Sequence, residues 1–258
     1  SVVGVITSTN PRFWRDRNGH GTHVTGIIAA IDNEIGVVGV APEVQIYVIK
    51  VLNDAGYGWW SDVIEGIEWA LKGPDGIIDS DGDNMSACDP EDDGAEVISM
   101  SFGAESAPES VHDAIIKAYK YGVVLVAAAD NEGASTPCYP AAYPEVIAVG
   151  AIDETDNVPD WSNRNPDLVA PGVNILSTYP DDTYEELSGT SMACPHVSAV
   201  AALIQAARLA SELSGLAPDQ VKEVLVNNVE DLGDPGYDPL YGYGLVRADL
   251  SVQAALNL

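Results

Sequence analysis

Short apolar, β-branched runs alternate with helix-like stretches along this chain, and no other feature narrows its fold so far. The runs are Val44–Leu52, Val97–Met100, Val123–Ala129, Val146–Val149 and Val173–Leu176. Helical stretches fill two of the gaps: Asp62–Leu71, with Ser61 placed to cap it, and Ser110–Tyr121. Further helices are predicted over His23–Ala30, Ser191–Leu213, Asp219–Asn227 and Ala248–Leu256. Strand–helix–strand repetition predicts an α/β fold: a mostly parallel twisted sheet whose right-handed crossovers lay helices on both faces, in three α/β/α layers. No internal repeat or long linker breaks the 258 residues, so a single domain over 1–258 is expected.

One stretch interrupts the alternation. Gly73–Glu96 reads GPDGIIDSDGDNMSACDPEDDGAE, with nine acidic residues from Asp75 to Glu96 and no Lys or Arg. It falls between a helix and a strand, which predicts a surface insertion at about 73–96. Within it, Asp79, Asp81 and Asp83 have the alternating spacing that opens an EF-hand loop. The match is partial, because Asn84 stands where that motif requires Gly and Pro90 where it requires Glu. Asp89, Asp92 and Asp93 offer later ligands on a compact loop of another kind. Hard carboxylate oxygens without His or Cys partners point to Ca²⁺ rather than zinc or copper, with several ions expected. A solvated acidic loop is the plainer alternative.

Acidity extends beyond that insertion. Forty Asp and Glu outnumber 11 Lys and Arg, for a formal charge of −29. Phosphate backbones and anionic lipid surfaces repel such a chain, so neither nucleic acid nor membrane is expected as a partner. No apolar run reaches the roughly 18 residues of a membrane-spanning helix. Metal ligands account for part of the charge, and the remainder implies a salt-adapted or highly soluble surface. Cys88, Cys138 and Cys194 lack metal-ligand spacing and allow at most one disulfide, whose formation the sequence leaves open.

Two local signals carry chemistry. Asn18–Val24 (NGHGTHV) brackets His20 with glycines at the start of a helical run, and Gly189–His196 (GTSMACPH) sets Ser191 at the start of a long Ala-rich helix. Pro195 is expected in the first turn of that helix, where amide hydrogens lack intrahelical partners. A nucleophilic serine needs a base to take its proton, and a helix N-terminus favours a forming oxyanion. A third stretch, Ala127–Gly133, ends a buried strand with Asn131, a short side chain able to donate a hydrogen bond. Taken singly, these read as a helix cap, a structural histidine and a turn residue.

Together, and in this order, Asn18–Gly26, Ala127–Gly133 and Gly189–His196 resemble the histidine, oxyanion-asparagine and serine motifs of the subtilisin-like serine proteases. Ile35–Pro42, Val48–Leu52, Val97–Gly103 and Tyr139–Gly150 extend the resemblance, which runs from about Asn18 to the C-terminus. Within the family the chain is most similar to the calcium-rich subtilisins of hyperthermophilic archaea, which carry a comparable Asp-rich insertion. The resemblance implies a serine endopeptidase with Ser191 as nucleophile, His20 as general base, and Asn131 with the Ser191 N–H as oxyanion donors, the mechanism that subtilisin itself exemplifies. His23, His112 and His196 are expected to be structural. An extended substrate would pair with Ser99, Met100, Ser101, Phe102 and Gly103 on one side and with Asn53–Gly58 on the other, where Gly56 and Gly58 suit close approach. Trp59 and Trp60 are expected to pack, although one could wall a subsite. The resemblance also implies a calcium loop, with carbonyls of Ile31, Ile35 and Val37 and the side chain of Asn33 as ligands. Polypeptide substrates, an inhibitory pro-segment that aids folding, a monomeric state and secretion follow in the same way.

Two departures from the family stand out. Asp130 occupies a position where the family usually has Gly, so its carboxylate either impedes an anionic transition state or biases the pocket toward basic side chains. The family's acid, in an Asp-Thr-Gly or Asp-Ser-Gly motif on an early strand, has no counterpart: Val3–Thr9 has the apolar lead-in but Thr7 at the critical place, and Asp16 stands in a loop. Either the acid lies upstream of Ser1, which is the favoured expectation, or it has been lost. In subtilisin, losing the acid alone costs about 3 × 10⁴ in kcat, so the chain as written is expected to turn over slowly. The competing reading is a catalytically impaired, calcium-stabilised module that binds peptides without cutting them.

Overall fold

The computed structural model describes residues 15–74, 76–78 and 93–258, and the statements below concern those residues. Asp79, Asp81, Asp83, Asp89 and Asp92 of the acidic stretch, together with Cys88 and the Val3–Thr9 lead-in, lie outside them. In chain order the elements are α1 (His20–Ala29), α2 (Trp60–Lys72), β1 (Val97–Met100), α3 (Glu109–Lys120), β2 (Val124–Ala128), β3 (Val146–Ile152) and β4 (Leu168–Pro171). There follow β5 (Ile175–Tyr179), β6 (Thr183–Leu187), α4 (Thr190–Ala210), α5 (Pro218–Asn227), β7 (Val229–Glu230), β8 (Leu245–Val246) and α6 (Ala248–Ala255).

Six strands form one sheet in the order β1-β2-β3-β4-β8-β7, in which only the β7–β8 pair is antiparallel. The period of two along each strand sorts side chains between its faces. Ile98, Met100, Leu125, Ala127, Val146 and Ala148 pack against Val63, Ile67 and Leu71 of α2 and Val111 and Ile115 of α3. Val97, Val124, Val126, Ala128, Ile147 and Val149 pack instead against Val197 and Ile204 of α4, Val221 and Leu225 of α5 and Ala255 of α6. Strands buried on both faces read as continuous apolar runs, which is why the sequence shows them so plainly. The result is the three-layer α/β/α arrangement.

Several local expectations are corrected. The run at Val173–Leu176 is displaced to Ile175–Tyr179 and forms an antiparallel hairpin with β6 rather than joining the parallel sheet. Its return turn is short, with Asp181 and Asp182 at φ of 62° and 58°, and too few residues intervene for a crossover helix. Val44–Leu52 is extended but has only a bridge residue at Lys50. Ile49 and Val51 enter the core while Val48 is exposed, so the alternation is kept without a continuous ladder among the described residues. Ser61 does not cap α2, because the helix begins one residue earlier, and the Ser61 hydroxyl turns to Asp62. Trp60 packs on the core, whereas Trp59 is exposed.

At 21 residues, α4 is long and apolar enough to cross a bilayer, contrary to the reading of the sequence by runs, yet two thirds of it is buried within the domain. Its Arg208 is 6% exposed and donates to the carbonyls of Ser214 (2.8 Å) and Ala255 (2.5 Å), tying the end of α4 to α6. Cys138 and Cys194 are buried free thiols. Because Ile98 is fully buried between the sheet and the α2–α3 layer, Ile98→Ala is expected to lower unfolding stability by about 2–5 kcal/mol. Urea denaturation checks this, and a loss below about 1 kcal/mol would contradict the assigned core.

Candidate active site

Parallel strands end on the same side of a sheet, and loops leaving their carboxyl ends build a crevice there. Here β1 runs into Ser101–Gly103 and β2 into Asp130–Asn131, with Met100 in register with Ala127. The third contributor is the start of α4. Gly189 donates its N–H to Gly172 O (2.8 Å), which sets the first turn of α4 just beyond the end of β4.

Pro195 lies inside α4 as its sixth residue, because the helix begins at Thr190. A proline there has no N–H for the carbonyl four residues back, which is that of Ser191. Ser101 Oγ supplies the missing donor at 2.9 Å, and Ser191 Oγ in turn donates to Ser101 O at 3.3 Å. Ser191 is thereby tied to the end of β1 at both its backbone and its side chain.

Asn131 is held as closely. Its Oδ1 accepts from Thr190 N (2.8 Å) and Thr190 Oγ1 (3.1 Å), and that hydroxyl accepts from Asp130 N (3.0 Å). With Oδ1 so occupied, Nδ2 is turned the other way. A β-carbon on Gly189 would sit 3.6 Å from Asn131 Oδ1, 3.7 Å from Ser191 N and 3.8 Å from Asn131 Nδ2, which places the Asn131 amide and the Ser191 N–H beside the same glycine. Asn163, fully buried, fixes the loop from behind: its Nδ2 donates to Ala129 O and its Oδ1 accepts from the N–H groups of Glu132 and Ala134.

His20 opens α1, whose Val24 and Ile27 pack on Met192, the residue after Ser191. The β5–β6 hairpin clamps this helix. Ser177 Oγ donates to His23 O (2.7 Å), Thr178 Oγ1 to Thr22 O (3.1 Å) and Tyr179 O–H to Asn18 O (2.9 Å). His23 is fully buried with Nε2 between the carbonyls of Ile175 (2.9 Å) and Glu185 (3.0 Å). Its Nε2 therefore bears the proton. His196 Nδ1 donates to Met192 O, and His112 pairs with Glu145 while stacking on Tyr143.

Asp16 serves the helix rather than the histidine ring. Its carboxylate accepts from the N–H groups of Asn18, Gly19 and Thr22 and from Thr22 Oγ1, at 2.8–2.9 Å. Burial works against its charge, but these bonds prevail and hold its pKa below the ordinary value. Among the described residues no hydrogen bond reaches the His20 ring. Burial chiefly, and the neighbouring His23, hold the His20 pKa down against the opposing pull of Asp16.

His20, Gly56, Ser101, Phe102, Gly103 and Asp130 line one cleft of about 730 Å³. Ser99 and Met100 are wholly buried inside β1, where the Ser99 hydroxyl joins Ser198 and Cys194, so they present no side chain to a ligand. Gly58 packs on Val51 and Leu52 instead of lining the cleft. Ile31, Asn33, Ile35 and Val37 lie along the same cleft, and Asn33 Oδ1 accepts from Ile35 N at 2.7 Å. Asp93 is exposed at the approach to β1. Thr190, Asn163 and Ser101, which position the donors and the serine, went unremarked in the sequence as positioning groups. The signals were present, since Thr190 directly precedes Ser191 and Pro195 stands four residues after it.

Residues 4–244 match the subtilase family, Peptidase_S8. The chain is similar to subtilisin DY of Bacillus licheniformis, at 43% identity covering 98% of this chain and 84% of that protein. It is 40% identical to subtilisin BL of Lederbergia lenta, over 93% of this chain and 79% of the relative. The minor extracellular protease Epr of Bacillus subtilis is 38% identical over 91% of this chain, which spans 33% of that protein.

Because burial lowers the His20 pKa, the neutral imidazole persists as pH falls below 6.5. The second-order rate of Ser191 modification by a fluorophosphonate should therefore have the midpoint of its acid limb below 6.5. A midpoint at or above that value would contradict the lowering of the His20 pKa by burial.

Proposed function

The chain belongs to the subtilase family and is a serine endopeptidase acting on polypeptides, and on that premise we propose which of its residues perform the reaction. Ser191 Oγ attacks the peptide carbonyl as His20 takes its proton, and the carbonyl oxygen gains charge between Asn131 Nδ2 and Ser191 N. His20 returns the proton to the leaving amine, and water then releases the acyl-enzyme by the same route. The Asn131 amide and the Ser191 N–H, held side by side next to Gly189 at the start of α4, support this assignment most directly. An N–H of the first helical turn carries no intrahelical partner, and the helix dipole adds positive potential where the oxyanion forms.

The hydrogen bond of Ser191 Oγ to Ser101 O has to be exchanged for one to His20 before attack, a rotation about the side chain. With no hydrogen bond orienting the His20 ring among the described residues, turnover of this chain is expected to be slow, and covalent labelling is the sensitive measurement. A fluorophosphonate probe should label Ser191 alone, and Ser191→Ala should abolish the label. Asn131→Ala should slow labelling about 10²-fold or more, as for loss of one oxyanion donor in subtilisin. An unlabelled native protein would favour the peptide-binding reading over the enzyme.

We extend the proposal to calcium. Carbonyls of Ile31, Ile35 and Val37 with Asn33 Oδ1 form an all-oxygen donor set that suits Ca²⁺ and not a soft metal, and the Asx turn at Asn33 already orders the loop. Ca²⁺ bound there would stiffen the loop without entering the chemistry. The carboxylates of Asp79, Asp81, Asp83, Asp89, Asp92 and Asp93 are proposed as ligands of further ions. Chelation should lower the melting temperature by about 10 °C, the shift that a ligand held far above its Kd produces in a domain of this size. An unchanged melting curve would remove the calcium assignment. Secretion and synthesis with an inhibitory pro-segment belong to the same proposal, the former supported by the extracellular relative.

A further inference from the structure

Two carboxylates flank the oxyanion donor and have no cation to balance them. The carboxylate atoms of Asp130 and Glu132 lie within 4.8 Å of one another. Among the described residues neither forms an ion pair with Lys, Arg or His. Asp130 is half-buried at φ 82°, locked by its N–H to Thr190 Oγ1 and by Asn163 N donating to its carbonyl. Its Oδ1 accepts from Asn131 N (3.1 Å) and Nδ2 (3.4 Å). The Cys138 thiol, which also lies 3.9 Å from Glu132 Oε2, is a further hydrogen-bond partner of the Asp130 carboxylate, whose Oδ2 meets no cation among the described residues. Oδ2 projects over Gly103, where a β-carbon would come within 2.7 Å of it. Burial, followed by the charge of Glu132, raises the Asp130 pKa, the mark of an anion short of positive partners.

We infer that Asp130, assisted by Glu132, receives a positively charged substrate side chain, so that this enzyme cleaves after Lys and Arg residues. The inference rests on the endopeptidase reading with Ser191 as nucleophile, because that reading fixes the direction of the substrate. His20 protonates the leaving amine, so the leaving half lies toward α1. The acyl half then runs along Ser101–Gly103, and the side chain next to the attacked carbonyl meets the Asp130 carboxylate where it overhangs Gly103. An ammonium or guanidinium there would balance both carboxylates, whereas an acidic side chain would meet two like charges.

The test uses two peptides identical except for Lys or norleucine, side chains of similar length, at the residue before the scissile bond. Equilibrium binding to the full-chain Ser191→Ala protein requires no turnover. The Lys peptide should bind about tenfold more tightly, the size of one partly buried charged contact. Asp130→Asn in the same background should bring the two affinities together, and Glu132→Gln should narrow the gap by less. Asn tolerates the left-handed backbone at this position, so the variant is expected to fold. Equal binding of the two peptides, or a preference that survives Asp130→Asn, would overturn the inference. Failure of Ser191 labelling in the unsubstituted protein would instead reject the endopeptidase reading, whatever the ratio of affinities.

Discussion

The first turn of α4 is fastened to three different strand ends, by Ser101 Oγ to Ser191 O, Thr190 N to Asn131 Oδ1 and Gly189 N to Gly172 O, and the geometry of the site depends on that fastening. These bonds are of 2.8–2.9 Å and join segments up to 90 residues apart in sequence. Pro195 makes the first of them necessary. By removing the helical donor to Ser191 O it leaves a carbonyl that must be satisfied from outside, and the end of β1 provides the hydroxyl. A feature that weakens α4 as a helix thus fixes it as part of a site.

Behind that contact lies a set of small buried polar groups. Ser198 Oγ donates to Ser99 Oγ at 2.8 Å, with the Cys194 thiol alongside, so the inner face of α4 meets β1 through hydrogen bonds as well as packing. Asn163 does the same for the loop after β2, with both ends of its amide engaged by backbone. Buried amides of this kind stabilise only when every polar atom is matched, and they then permit one arrangement of the loop and few others. Preorganised donors are what electrostatic stabilisation of an oxyanion requires, because little reorganisation remains to be done as charge develops.

Charge is distributed with a similar economy. Asp16 stabilises the start of α1 through four hydrogen bonds, and the Arg17–Asp54–Lys50 contacts join the 53–58 turn to the segment before that helix. Those ion pairs are largely exposed, so they orient the turn more than they stabilise the fold. Asp130 is different. It occupies a half-buried place with amides, the Cys138 thiol and the Glu132 carboxylate beside it but no cation among the described residues, and in a chain with 40 acids and 11 bases the protein has little cation to spare for it.

The amino-acid sequence by itself determined the layering and the family. Runs such as Val123–Ala129 are buried on both faces and cannot be other than interior strands, and the spacing between them forces parallel crossovers. His20, Asn131 and Ser191 could be proposed from sequence because each stands in a short motif with at least one glycine close to it, two in the case of His20. The roles of Ser101, Thr190 and Asn163 were decided only by tertiary structure, because a hydroxyl or amide becomes a positioning group through the partner it meets, and those partners are distant in sequence. The same holds for the corrections. Ser99 and Met100 have a motif position beside the substrate edge, and their side chains turn inward from it into the core. Ile175–Tyr179 has strand composition, but a short turn, not its side chains, makes it a hairpin clamping α1. The alternating pattern records burial, which each residue carries in its own chemistry. Hydrogen-bond partnership belongs to pairs, and only the folded chain chooses them.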